Sequence, residues 1–231
     1  MKFAHKVFHL DSDTERDWLV KSINIYLSKY SVELQTPTIQ IRSDDDLLSF
    51  YTHNPDFNID SKGYSLHGIQ GWKYGELGIW ASNYTAWKNF LKTDNEYLIL
   101  MEDDINFNQD FFSLLEKYLN ELPEGWEFFS FFSPADQYHK YNASISYSEN
   151  TSSIYQDWSC LCYALSRKGA EKSLAMMNSK VNLPLDWFFY RQKEKFYGYS
   201  VKPDSQKGCT LANLESTFQK KHERKIINGI F

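Results

Sequence analysis

Five consecutive apolar residues, Tyr97-Leu98-Ile99-Leu100-Met101, run directly into three carboxylates, Glu102, Asp103 and Asp104. The run follows the short turn "TDNE" and reads as a strand. In an extended backbone successive side chains alternate, which sends Glu102 and Asp104 to one side and Asp103 to the other. Strand-like and helix-like segments alternate around this run. That order implies an α/β layer fold, a mainly parallel central sheet flanked by helices.

The pattern along the chain supplies the other elements. Residues 3–10 read as a first strand, and Ser12, Asp13 or Thr14 is placed to cap the helix that follows. Trp18, Leu19, Ile23, Ile25, Tyr26 and Leu27 form its apolar stripe. "TPTIQIR" at 36–42 alternates and predicts a second strand, and the turn formers of 43–74 predict a long ordered loop. A helix is expected over 76–92, with Leu77, Trp80, Ala81, Tyr84, Trp87 and Leu91 on one face. Asn108 is placed to cap a helix over 109–121, which Pro123 and Gly125 stop. Strands at 126–132 and 159–166, helices at 167–178 and 185–196 and a polar, partly helical tail complete the order. No repeat or low-complexity segment interrupts it.

Hydrophobic residues make up 42% and aromatics 17% of the 231 residues, ample material for one packed domain and unlike a disordered chain. The aromatics include Trp72, Tyr74, Trp80, Tyr138, Tyr141 and Trp158, which suit a core more often than a sugar platform. A net charge of −5 opposes binding to nucleic acid or anionic membrane through the global field. The three cysteines, Cys160, Cys162 and Cys209, lack a framework spacing and read as reduced thiols. Cys160 and Cys162 are expected side by side on one face of a strand. The first ten residues have an apolar run broken by His5, Lys6 and His9, which fits a buried strand better than a secretory signal. No segment is apolar enough to span a membrane, so a cytoplasmic protein is expected. Without such a signal, the Asn-x-Ser/Thr sites at Asn83, Asn142 and Asn150 carry little meaning.

Carboxylates crowded at a strand end repel one another unless a cation is near. Ligands of open α/β sheets sit beyond the carboxyl ends of strands. Hard oxygen ligands at such an edge suit Mg²⁺ or Mn²⁺, which bridges phosphates. The alternative is a solvated cap for the next helix, and the triplet by itself does not separate the two.

The surrounding residues do. "GELGIWASNYTAWKNFL…DNEYLILMEDDINF" resembles glycosyltransferase family 25, the lipopolysaccharide-type glycosyltransferases. "VFHLDSDTERDWLV", "YALSRKGAEKSL" and "LPLDWFFYRQ" are similar to further segments of that family, in the same order along most of the chain. Two positions depart from its pattern: Ser82-Asn83 replaces Ser-His, and His9-Leu10 replaces Asn-Leu.

The resemblance implies a GT-A-like single domain over residues 1–231. Its first half, to about residue 106, would hold the nucleotide sugar, and the rest would hold the acceptor. It implies transfer of a sugar from a nucleotide-diphosphate donor, UDP-linked, to an acceptor hydroxyl with inversion, assisted by Mn²⁺ or Mg²⁺. On this reading Asp104 binds the metal. Glu102 and Asp103 serve the metal or the donor hydroxyls. Asp186, in "PLDW", is the catalytic base, with helix capping as its alternative. Asp11 and Arg16 lie where base and ribose would bind, and Lys73 and Glu76 where diphosphate and sugar would. Arg16 suits an ordinary surface helix position equally, and Glu76 the first turn of a helix. His222 would be a late metal ligand or an exposed residue. Lys220, Lys221, Arg224 and Lys225 form a solvated face or touch a phosphate-bearing acceptor.

Other functions compete. One is a sugar-nucleotide-binding module without turnover, which retention of the triplet and Asp186 opposes. Another is transfer to a hydroxylated DNA base, which the acidic balance disfavours and the basic tail keeps open. A nucleotidyltransferase would show a Gly-rich phosphate loop, and "HLDSDTERD" has no glycine.

Overall fold

A computed structural model of the chain describes residues 1–60, 62–66, 69–107, 110–132, 146–153, 160–192, 195–202 and 209–211. The strands are β1 (Phe3–Phe8), β2 (Val32–Glu33), β3 (Tyr64–Leu66), β4 (Ile69–Gly71), β5 (Tyr97–Glu102), β6 (Ile105–Phe107), β7 (Phe128–Ser130), β8 (Thr151–Ser153), β9 (Cys162–Ser166), β10 (Gly198–Val201) and β11 (Cys209–Leu211). The helices are α1 (Asp17–Leu27), α2 (Asp44–His53), α3 (Tyr74–Leu91), α4 (Phe111–Asn120), α5 (Arg167–Met176) and α6 (Leu185–Arg191).

Among the described residues, seven strands form one sheet in the order β2-β1-β5-β9-β7-β10-β8, while β3–β4 and β6–β11 pair separately. The α/β class with flanking helices matches the expectation, but the strand directions are mixed. β1–β2, β1–β5 and β7–β10 are parallel. β5–β9, β7–β9 and β8–β10 are antiparallel. The side-chain period of two is the same for both pairings, so the sequence pattern does not declare direction. The arrangement matters for the site, because the end of β5 meets the start of β9, with Met101 opposite Cys162.

Each face of the sheet carries its own apolar layer. Leu98 and Leu100 of β5 face α2, α3, α5 and α6, where Leu47, Trp80, Trp87, Ala170, Phe188 and Phe189 are buried. Ile99 and Met101 face α1 and α4, with Leu19, Ile23, Phe111, Phe112 and Leu115. Burial on both sides explains why β5 is apolar without alternation. Cys160 lies in the first layer and Cys162 in the second, so the two thiols do not share a face. Leu161 joins Cys162 in the second layer, which breaks the alternation just before β9 begins.

Several expectations change in detail. α1 starts at Asp17 after Arg16, with no side-chain cap, so Ser12, Asp13 and Thr14 do not cap it. Its buried stripe is Leu19, Val20, Ile23 and Leu27, and Trp18 and Ile25 are exposed. Residues 36–42 form no strand and lie outside the sheet. Pro37 removes a ladder donor there, and side chains hold the segment instead. Ser82 Oγ accepts from the Ile39 amide at 2.8 Å, and Asn89 Nδ2 donates to Thr36 Oγ1 at 3.1 Å. Gly78 permits this approach, since a Cβ there would lie 3.0 Å from the Ile39 carbonyl oxygen.

The expected loop at 43–74 contains α2 and the β3–β4 pair. Ser43 Oγ accepts from the Asp46 amide at 3.2 Å, and three aspartates occupy the first turn of α2. Ser-Asp clusters serve helix starts as well as turns, which is why this helix escapes a turn-former count. The helices of 109–121, 167–178 and 185–196 are present as the shorter α4, α5 and α6. Asn108, the polar tail, Tyr138, Tyr141 and Trp158 lie outside the described residues.

Gly169 sits where α5 crosses the start of β7. A Cβ there would fall 1.9 Å from the Glu127 carbonyl oxygen, so only glycine fits. The Glu127 carboxylate beside it is fully buried. It pairs with Lys172 at 2.5 Å and Lys168 at 3.2 Å and accepts from the Tyr197 amide at 3.0 Å. These contacts hold its carboxyl below the usual range against the opposing effect of burial.

Candidate active site

The Glu102 amide donates to the Leu161 carbonyl at 2.9 Å, at the last residue of β5. The chain then turns through Asp103 and Asp104 and re-enters structure at Ile105, which is fully buried. This anchor holds the turn over the end of the sheet. Asp103 points towards β1 and α1, apart from its neighbours. Arg16 donates to its Oδ1 at 2.5 Å, and His9 Nδ1 lies 2.8 Å from its Oδ2. His9 Nε2 meets Asp17 Oδ1 at 2.8 Å, and Arg16 also lies 3.6 Å from Asp13. Arg16 is only 6% exposed, so the structure moves it from a surface helix position into a buried pair.

An imidazole between two carboxylates satisfies both only when both ring nitrogens carry hydrogen. His9 is accordingly raised above its ordinary value; burial opposes the charge, and the hydrogen bonds to Asp103 and Asp17 outweigh it.

Glu102 and Asp104 have few such partners. Burial pushes the Glu102 carboxyl up to about 8, helped by the charges of Asp104, Asp186 and Asp103 and opposed by Arg16. Asp104 is raised as well, by burial first, with Arg16 opposing and Asp103 reinforcing. Its Oδ1 is buried and has no hydrogen-bond partner among the described residues. A carboxylate oxygen in that state is costly unless something electropositive completes it.

Asp186 reaches the same region from the first turn of α6. Trp80 positions that helix: its Nε1 donates to the Leu183 carbonyl at 2.9 Å, and its ring meets Phe188 edge-on at 5.0 Å. The Trp187 amide donates to Asp186 Oδ1 at 2.9 Å. Burial still pushes the carboxyl up to about 6; that hydrogen bond opposes the shift, and the Glu76 charge adds to it. Glu76 accepts from the Lys73 amide at 2.9 Å and so caps α3. Lys73 is the residue just before that helix.

The structure therefore gathers Glu102, Asp103, Asp104, Asp186 and Arg16, with Glu76 adjacent to Asp186. Asp11 is exposed in the turn after β1, and His222 lies outside the described residues. Two contributors escape a sequence reading. One is His9. The other is Tyr163, whose hydroxyl donates to Asn83 Oδ1 at 2.5 Å and accepts from Trp87 Nε1 at 3.2 Å in the layer behind Glu102. The sequence cues to His9 are its position just after β1, beside the strand that carries the triplet, and its departure from the family's Asn-Leu. A cavity of about 560 Å³, lined by Tyr97, Trp126, Ser166 and Lys168 among others, opens at the opposite end of β5 from these acids.

Among the described residues, no three His, Cys, Asp or Glu side chains converge as a self-sufficient metal site. Glu102 and Asp104 nevertheless fit Mg²⁺ or Mn²⁺, which binds through one or two carboxylates and takes its remaining ligands from phosphate and water. The buried, unpartnered Asp104 oxygen is the specific observation in favour.

The Glu102 shift has a measurable consequence. Between 4.5 and about 8 the folded protein holds a proton there that the unfolded chain has lost. Its contribution to stability is complete below 4.5 and disappears as pH rises through about 8. In chelator, Glu102→Gln is expected to melt like wild type at pH 5 and above it at pH 8. Parallel melting curves across that window would show that Glu102 is not strained by its charge.

A model described as glycosyltransferase family 25 (LPS biosynthesis protein) matches residues 67–189, just over half of the chain. Human procollagen galactosyltransferase 2 is 26% identical over 118 residues; the match takes in 49% of this chain and 19% of that protein's length. A crystal structure of a Drosophila β-1,4-galactosyltransferase 7 mutant, in complex with manganese, UDP-Gal and xylobiose, aligns at a TM-score of 0.42 with 13% identity. It covers 99% of this chain and 82% of its own. Among the described residues, no helix is long and apolar enough to cross a membrane.

Proposed function

Because the chain belongs to glycosyltransferase family 25, we propose that it transfers a sugar from a nucleotide-diphosphate donor, UDP-linked, to a glycan or other hydroxyl acceptor with inversion. The observation that carries this reading is the grouping of half-buried Glu102, Asp104 and Asp186 at the end of β5, each raised by desolvation, with the Asp104 Oδ1 buried and unpartnered among the described residues. Glu102 and Asp104 would hold the cation, Mn²⁺ or Mg²⁺. When bound, it stabilises the charge that builds on the departing diphosphate. Asp186 takes the proton of the attacking hydroxyl. A carboxylate with a pKa of about 6 is ionised at neutral pH yet basic enough to act.

Asp11 and Lys73 are the candidates for contacts to the nucleotide and diphosphate, and Glu76 for the sugar side beside Asp186. Residues to about 106 form the donor half of one domain and the remainder the acceptor half. The family match supports the transferase class, and the relative named a galactosyltransferase makes galactose the first donor sugar to test.

A thermal-shift screen of nucleotide sugars with and without Mn²⁺ tests the proposal. A matching UDP-sugar is expected to raise the melting temperature only with metal, by mass action on the folded state. If no nucleotide sugar shifts melting under either condition, the donor assignment fails.

A further inference from the structure

Asp103 is the middle acid of the triplet, yet its carboxylate is spent on the protein itself. Arg16 occupies Oδ1 at 2.5 Å, and His9 occupies Oδ2 at 2.8 Å. His9 reaches onward to Asp17 Oδ1 at 2.8 Å, so one ring ties the end of β1 to the start of α1 and to the turn after β5. The two partners of Asp103 lie 87 and 94 positions away in sequence. His9 and Asp103 side chains are only 11% and 15% exposed, which protects the contact from competition by water.

Asp103 sits between Glu102 and Asp104 in a turn of the backbone. Holding its side chain towards α1 constrains the peptide planes on either side. Glu102 then stays within reach of the charges of Asp104 and Asp186, although that repulsion favours separation. We infer that His9 is a positioning residue: by clamping Asp103 together with Arg16, it sets the Glu102–Asp104 turn in the geometry that receives the donor's metal-bound diphosphate.

The inference rests on the donor site proposed above, and its test separates the two. His9→Ala removes both contacts, and Asp17→Asn, at a half-exposed position, weakens the outer one without touching Asp103. Amide hydrogen exchange is measured for 103–105 and for Leu98–Leu100, and UDP affinity is measured with and without Mn²⁺. In His9→Ala the turn amides are expected to exchange about tenfold faster while those of β5 keep their rates. The affinity of the folded variant for UDP with Mn²⁺ is expected to fall about tenfold, as for other residues that orient a metal ligand. Asp17→Asn is expected to move both readouts less, in the same direction.

A contact that merely stabilises the fold would lower the melting temperature and leave the folded protein's affinity unchanged. Unaltered turn exchange, or wild-type affinity in both variants, overturns the inference. Wild-type protein that binds no UDP with Mn²⁺, together with a loosened turn in His9→Ala, overturns the donor reading and reduces His9 to a structural clamp.

Discussion

Asp104→Asn is expected to remove metal-dependent donor binding and to reduce sugar transfer roughly 10³-fold, the scale of losing one electrostatic contact to developing charge. The fold should survive. Asp104 is raised by burial, and its buried Oδ1 has no partner among the described residues, so the charge destabilises the metal-free protein. An amide of the same shape relieves that repulsion, and the variant should melt no lower than wild type in chelator. Donor titration with and without Mn²⁺, beside a turnover assay, checks both parts. Retained metal-dependent binding would remove Asp104 from the cation site.

Asp186→Asn separates chemistry from binding. Turnover is expected to fall about 10²–10⁴-fold, the usual contribution of a positioned general base. UDP affinity should stay close to wild type, because Asp186 comes from α6 while the other acids follow β5. In the wild type, kcat/KM should fall as pH drops through about 6, where the base takes up a proton. A variant that loses donor affinity and keeps turnover at saturation would make Asp186 a binding residue.

How much of this was legible differs from residue to residue. β5, α3 and α4 stand out because long, regular apolar patterns leave little choice of element, and the triplet stands out because charge stops such a pattern abruptly. Asp186 was visible through a local motif. Residues 36–42 misled because alternation describes any extended segment, and here Pro37 and the side chains of α3 keep it off the sheet. The α2 helix was hidden because Ser43 and its three following aspartates serve turns and helix starts alike.

Arg16 illustrates the larger gap. Its sequence neighbours make it an ordinary helix-start residue, and its charge suits a nucleotide. Only the parallel pairing of β1 with β5, which places Phe8 opposite Glu102, brings Arg16 and His9 to Asp103.

Local chemistry determined the strongly patterned elements such as β5, α3 and α4, and it put three acids at the end of one strand, because periodicity and abrupt charge act over a few residues. The tertiary structure alone decided strand direction, the separation of Cys160 from Cys162, and the division of the triplet into a clamped Asp103 and the flanking Glu102 and Asp104. Those outcomes depend on contacts between positions far apart in the chain, and such contacts exist only once the layers have closed on one another.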